Sequence, residues 1–166
     1  MSNYSYPDIA IFDFDVNENV AFEKVLQAAS YLNELLNSMD LKSYPKTTGG
    51  SGLHVYLPIV PKYSFKEVRE WVKSISDTLA KKYPDLITTQ RKSGKTHSSD
   101  KITVDYLQNV ISRNTVAPYS VRAYSNATVS TPVTWKEVKQ GHLKPKDFTI
   151  KNVPERTKKI GDVFSE

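Results

Sequence analysis

Apolar residues along the chain recur with two periods, and the switches between them outline its elements. From about Asp8 to Phe14 the pattern is that of a strand. Residues i and i+2 of an extended segment share a face, so Phe12 and Phe14 point one way and Asp13 and Asp15 the other. An Asn17-Glu18-Asn19 turn and cap signal follows, and Val25, Ala29, Leu32 and Leu36 then fall at helical spacing over about 19–37. Ser43-Tyr44-Pro45-Lys46 reads as a short strand and Leu53 to Ile59 as a longer one. Between them Thr48 to Gly52 is small, polar and rich in glycine. Ser64-Phe65-Lys66-Glu67 is a capping box, and Phe65, Val68, Val72, Ile75 and Leu79 form the stripe of a second helix ending near Tyr83-Pro84. Leu86 to Thr89 is short and extended. Ile102 to Leu107 reads as a strand, and Val116 to Val129 holds a β-rich stretch. A second capping box, Thr134 to Glu137, opens a short helix that stops at Gly141. The remainder, Leu143 to Glu166, carries Lys144, Lys146, Lys151, Arg156, Lys158 and Lys159 around Phe148, Ile150 and Val153. Strands and helices alternate without a regular β-α period. That predicts an α+β fold in one domain over residues 1–166, with helices on one side of a mixed or antiparallel sheet.

Composition narrows the class. The 166 residues are 39% hydrophobic and 25% charged, which fits a chain able to bury a core. The chain has no cysteine, which excludes a disulfide framework, a cysteine zinc site and a thiol nucleophile. No apolar run approaches the roughly 20 residues a membrane span needs, and the polar start lacks a signal-peptide pattern. A cytoplasmic protein with no membrane partner is expected. A net charge of +5 leans toward polyanions such as nucleic acid or nucleotides.

The candidate chemistry starts with the acids. Two carboxylates on one face of an apolar strand are costly unless a cation neutralises them. Asp105 closes a second apolar strand. If the two strands are neighbours, three acids converge and can hold two divalent ions roughly 3.5–4 Å apart, which activate a hydroxyl and stabilise a leaving pyrophosphate. In the loop, Gly49, Gly50 and Gly52 allow backbone N–H groups to approach a phosphate, and Thr48 and Ser51 add hydroxyls. A plain hairpin turn has the same composition, and no Walker A pattern is present. His54, just past this loop, either packs in its strand or donates to a phosphate or ribose oxygen. Arg122, between Val121 and Ala123, calls for an anion, either a structural carboxylate or a substrate phosphate.

The order of these motifs resembles a known family. Phe12-Asp13-Phe14-Asp15, Lys46 through Val55, Val104-Asp105-Tyr106-Leu107-Gln108-Asn109, Ala117 through Ala123, Val129 through Val138 and Asp147-Phe148-Thr149-Ile150 look like the polymerase domain of bacterial ligase D. That domain belongs to the archaeo-eukaryotic primase superfamily, with a primase-polymerase (RRM-like) core. The resemblance implies nucleotidyl transfer onto primers, with ribonucleotides preferred over deoxyribonucleotides, and end filling in double-strand break repair by non-homologous end joining. It implies two Mn²⁺ or Mg²⁺ ions on Asp13, Asp15 and Asp105. It places Thr48, Gly49, Ser51, Gly52, His54 and Arg122 at the nucleotide. The implied partners are DNA ends or a primer-template, an NTP or dNTP, a Ku end-binding protein and a DNA ligase, on the nucleoid.

Two departures stand out. The family usually has Lys where Ser51 stands, a charge worth about 1–3 kcal/mol in phosphate binding, and Lys46 and Lys95 are the nearby cations that would replace it. Family domains also carry a further portion before the first acid pair. Without it, exposed apolar surface is expected to be covered by a second subunit or a homodimer. The alternative function is a catalytically weak nucleotide- or nucleic-acid-binding module, or one half of a split polymerase.

Overall fold

The structure, a computed structural model, describes residues 6–16, 20–90 and 100–164. The Asn17-Glu18-Asn19 signal and the basic loop with Arg91, Lys92, Lys95 and His97 lie outside the described residues.

The elements run in the order β1 (Ile9–Asp15), α1 (Phe22–Asn37), β2 (Tyr44–Thr47), β3 (Leu53–Pro58), α2 (Phe65–Lys82), β4 (Ile87–Thr88), β5 (Ile102–Asp105), α3 (Trp135–Gln140) and α4 (Val153–Ile160). The five strands form one sheet in the order β2-β3-β1-β5-β4. The first three contacts along it are antiparallel and the β5-β4 contact is parallel, so the sheet is mixed, one of the two arrangements expected from the alternation of elements.

β1 lies at the centre because its two faces do different work. Ala10, Phe12 and Phe14 are wholly buried with Val25, Ala29, Leu32 and Leu36 of α1 and Val72 of α2. Phe12 meets the Trp71 ring of α2 edge-on, with centroids 6.0 Å apart. The other face carries a cross-strand row. Lys46 pairs with His54, His54 with Asp13, and Asp13 with Asp105, so one line of side chains crosses β2, β3, β1 and β5. Cross-strand partners share a face, and all four of these residues are buried.

Irregular chain covers that polar face. The stretch Val116 to Val129 is not a strand. Its ladder is reduced to an isolated bridge between Val121 and Val129. Pro118 donates no backbone hydrogen bond, and Tyr119 (φ 62°) and Ala127 (φ 45°) take left-handed conformations that a ladder cannot absorb. Backbone bonds from Tyr119 to Ser130 and from Arg122 to Thr128, 2.6 and 2.7 Å long, fold it back on itself instead.

Two boundaries also move, and a further helix is present. α1 begins at Phe22 with Ala21 as its N-cap, later than the Asn19 start expected from the sequence, and no side chain caps it. β5 stops at Asp105, because the Asp105 carboxylate accepts the Leu107 N–H at 2.8 Å and turns Tyr106–Gln108 into a 3-10 turn. The basic remainder contains α4. Its signal is in the sequence, with Pro154 and Glu155 in the first turn, Lys158 and Lys159 in the last, and Gly161 after it. Both capping boxes form as expected, Ser64 with Glu67 and Thr134 with Glu137.

Candidate active site

β1 and β5 are neighbours, so the three acids do meet. One carboxylate oxygen each from Asp13, Asp15 and Asp105 lies within 4.8 Å of the others. Asp13 is held from several sides. Its Oδ2 accepts from Gln108 Nε2 at 3.1 Å. Its Oδ1 lies 3.2 Å from His54 Nε2, an ion-pair distance, yet is buried without a hydrogen-bond partner among the described residues. His54 Nδ1 is likewise buried and without one. A buried carboxylate oxygen with no donor, inside a cluster of three acids, is costly for protein alone. An oxygen-loving divalent cation satisfies it, so the residues present fit a metal site.

Behind Gln108, Asn109 fixes the strand. Ile11 N–H donates to Asn109 Oδ1 at 2.9 Å, and Asn109 Nδ2 donates to the Ile11 carbonyl at 2.8 Å. The side-chain amide thus takes the place of the strand residue that β5 no longer supplies. It holds β1 in register two residues before Asp13.

The glycine loop sits against the end of β1. A Cβ at Gly52 would come within 2.8 Å of the Phe14 carbonyl oxygen, so glycine is what lets the loop approach. Gly49 has φ +69°, and a Cβ there would meet Arg122 Cγ at 2.8 Å and Ser130 N at 3.1 Å. Thr48 Oγ1 accepts from the N–H groups of Gly50 and Gly52, at 3.2 and 3.1 Å, and donates to the Gly52 carbonyl. The hydroxyl expected at the phosphate therefore braces the loop in this structure.

A cavity of about 240 Å³ opens between the acids and the loop. Asp13, Asp15, Thr48, Ser51, Gly52, His54 and Arg122 line it, all of them expected from the sequence. Gly49 and Asp105 do not. Gly49 lies under Arg122, and Asp105 is buried beside Asp13. Arg122 makes no ion pair among the described residues and packs on the Tyr124 ring, 5.8 Å from its centroid. Sequence reasoning missed Gln108, Asn114, Thr115, Val116 and Tyr124 as lining residues. Gln108 had a signal, a polar Gln-Asn pair directly after an apolar strand. The others depend on how an irregular segment folds back.

Lys46 does not line the cavity. It is fully buried, and its Nζ donates to Ser130 Oγ at 2.6 Å. Burial pushes its pKa down to about 7, Asp13 opposes that shift, and Arg122 adds to it.

This fold has counterparts among known proteins. The polymerase domain from Mycobacterium tuberculosis Ligase D, solved in complex with DNA, matches with a TM-score of 0.86 at 29% identity, over 96% of this chain and 54% of that one. The class is a polymerase-type α+β domain. The family model described as LigD, primase-polymerase domain, matches residues 1–164, and the chain belongs to that family. The bifunctional non-homologous end joining protein LigD of Bacillus subtilis is 35% identical over 95% of this chain. The multifunctional LigD of Pseudomonas aeruginosa is 32% identical over 94%. The chain spans 26% and 18% of the length of those two relatives.

Proposed function

We propose that the chain carries the catalytic core of a nucleotidyltransferase that extends a DNA or RNA primer with nucleoside triphosphates, filling ends during non-homologous end joining. The observation that carries this reading is the buried, donor-less Oδ1 of Asp13 beside Asp15 and Asp105. These three acids would hold Mn²⁺ or Mg²⁺, which when bound lowers the pKa of the primer 3′-hydroxyl and neutralises the leaving pyrophosphate. The chain's own groups do the rest. Gln108 and Asn109 hold Asp13 and its strand in place. Ser51 and Arg122 face the cavity where the polyphosphate would lie, and Arg122 brings a guanidinium that makes no ion pair among the described residues and suits phosphate oxygens. His54 lines the same cavity within reach of phosphate or sugar. DNA ends, with a Ku end-binding protein and a DNA ligase, are the partners of such an activity, which belongs in the cytoplasm on the nucleoid. Among the described residues no helix is long and apolar enough to cross a membrane.

The test is extension of a primer on a gapped template with Mn²⁺, comparing NTP with dNTP. The unaltered chain is expected to add nucleotides, with NTP preferred, and the double variant Asp13→Ala/Asp15→Ala to add none. Extension by the double variant overturns the metal site. One observation favours a second reading: Ser51 lines the cavity and brings no charge. Nucleotide binding without extension would select a binding module.

A further inference from the structure

Lys46 is a buried ammonium bonded to no carboxylate among the described residues. Its Nζ donates to Ser130 Oγ and lies 5.5 Å from the centroid of the Tyr56 ring. Ser130 Oγ in turn donates to the Thr47 carbonyl at 3.0 Å. Around this point a polar seam joins two distant segments. Thr47 N–H donates to the Thr131 carbonyl at 2.9 Å, and Thr131 N–H to Thr47 Oγ1 at 3.2 Å. Thr128 Oγ1 donates to the Gly49 carbonyl at 2.5 Å. One side of the seam feeds the glycine loop. The other is the back of the segment that presents Arg122, whose N–H donates to the Thr128 carbonyl. Burying a lysine here is costly, and packing alone does not require it, since a methionine fills similar volume.

We propose that Lys46 is a positioning residue of the cavity, its ammonium pinning the strand before the glycine loop to the segment behind Arg122 and laying a positive charge beneath a bound polyphosphate. This rests on reading the cavity as a nucleotide site. The charged and titratable groups around Lys46 are Asp13 on β1, His54 and Tyr56 on β3, and Arg122 on the covering segment. Asp13 would be occupied by metal and Arg122 by phosphate in the loaded site, and Lys46 adds a buried cation beneath it. An anion above it favours its protonated form, so the charge is present when the polyphosphate is.

A charge and a mere strut predict different things. A strut that fails loosens the site for every nucleotide alike. A missing charge hurts ligands in proportion to their phosphates. The experiment is calorimetric titration of the unaltered chain and of Lys46→Met with ATP, ADP and AMP. Mg²⁺ is present, primer is absent, and the buffer is more acidic than the Lys46 pKa of about 7. Lys46→Met is expected to weaken ATP binding roughly tenfold, ADP less and AMP least, as Coulomb attraction through a partly polar interior requires. Lys46→Gln, which keeps a hydrogen bond to Ser130 without the charge, is expected to show the same gradient and serves if the Met variant does not fold. Equal losses for all three ligands, or none, overturn the proposal. An unaltered chain that binds none of the three overturns the nucleotide reading and this inference with it.

Discussion

At the scale of single residues, the site depends on absences as much as on charges. Gly52 is required by the Phe14 carbonyl oxygen, which would lie 2.8 Å from any Cβ placed there. A backbone oxygen in a central strand cannot move aside, so β1 or the loop must. Gly52→Ala is expected to cost about 1–3 kcal/mol of stability in a denaturant melt and to weaken Mn²⁺ binding in a titration followed by electron paramagnetic resonance. A variant with unchanged Mn²⁺ affinity would show that the loop yields without disturbing Asp15. At this scale the sequence was informative where alternation or a strand end marked a residue. Asp13 and Asp15 were legible as a shared face, and Asp105 as the close of an apolar run. Tyr124 was not, because only the fold-back of an irregular segment brings its hydroxyl against the glycine loop at Gly50. The burial of Lys46 was also hidden, since nothing local separates a lysine that faces solvent from one bonded to Ser130.

At the scale of elements, signals written in a few adjacent residues survived and those that needed tertiary context did not. The Ser64-Glu67 and Thr134-Glu137 boxes formed because both halves of each lie within one turn. The Val116–Val129 stretch has strand-like composition, yet left-handed residues at Tyr119 and Ala127 break it. Asn109 shows how a side chain can finish what an element leaves undone. It bonds both backbone groups of Ile11, ninety-eight residues away in sequence. Asn109→Ala would leave a half-buried N–H and C=O without partners, at a cost of about 1–3 kcal/mol. A chevron or equilibrium denaturation would measure that loss. A change within error would mean that water replaces the amide. Farther from the site, Arg156 joins α4 to α3 through Glu137. Burial pushes the Glu137 carboxyl up, but its bonds to Arg156 and Thr134 outweigh that and hold it low.

For the whole molecule, the buried ammonium makes stability depend on pH. Folding lowers the Lys46 pKa from 10.5 to about 7. Between those values the unfolded chain holds more protons than the folded one, so stability rises with pH across that window. Melting temperature is therefore expected to climb from pH 7 toward pH 9 in the unaltered chain, and to climb less in Lys46→Met. Parallel curves for the two proteins would show that Lys46 is not the titrating group. Tyr56, which burial and the nearby Asp13 raise to about 12, acts only at higher pH and in the opposite sense.

The seam between Thr47 and Ser130–Thr131 spans more than eighty residues of chain. Synthesis runs from the amino end, so Asp13, Asp15 and Asp105 all leave the ribosome before Ser130 does. The growing chain thus owns its full set of carboxylates while the glycine loop still lacks its backing. If the site binds as proposed, the carboxylates that would hold a cation are made before the segment that would back the loop for a polyphosphate.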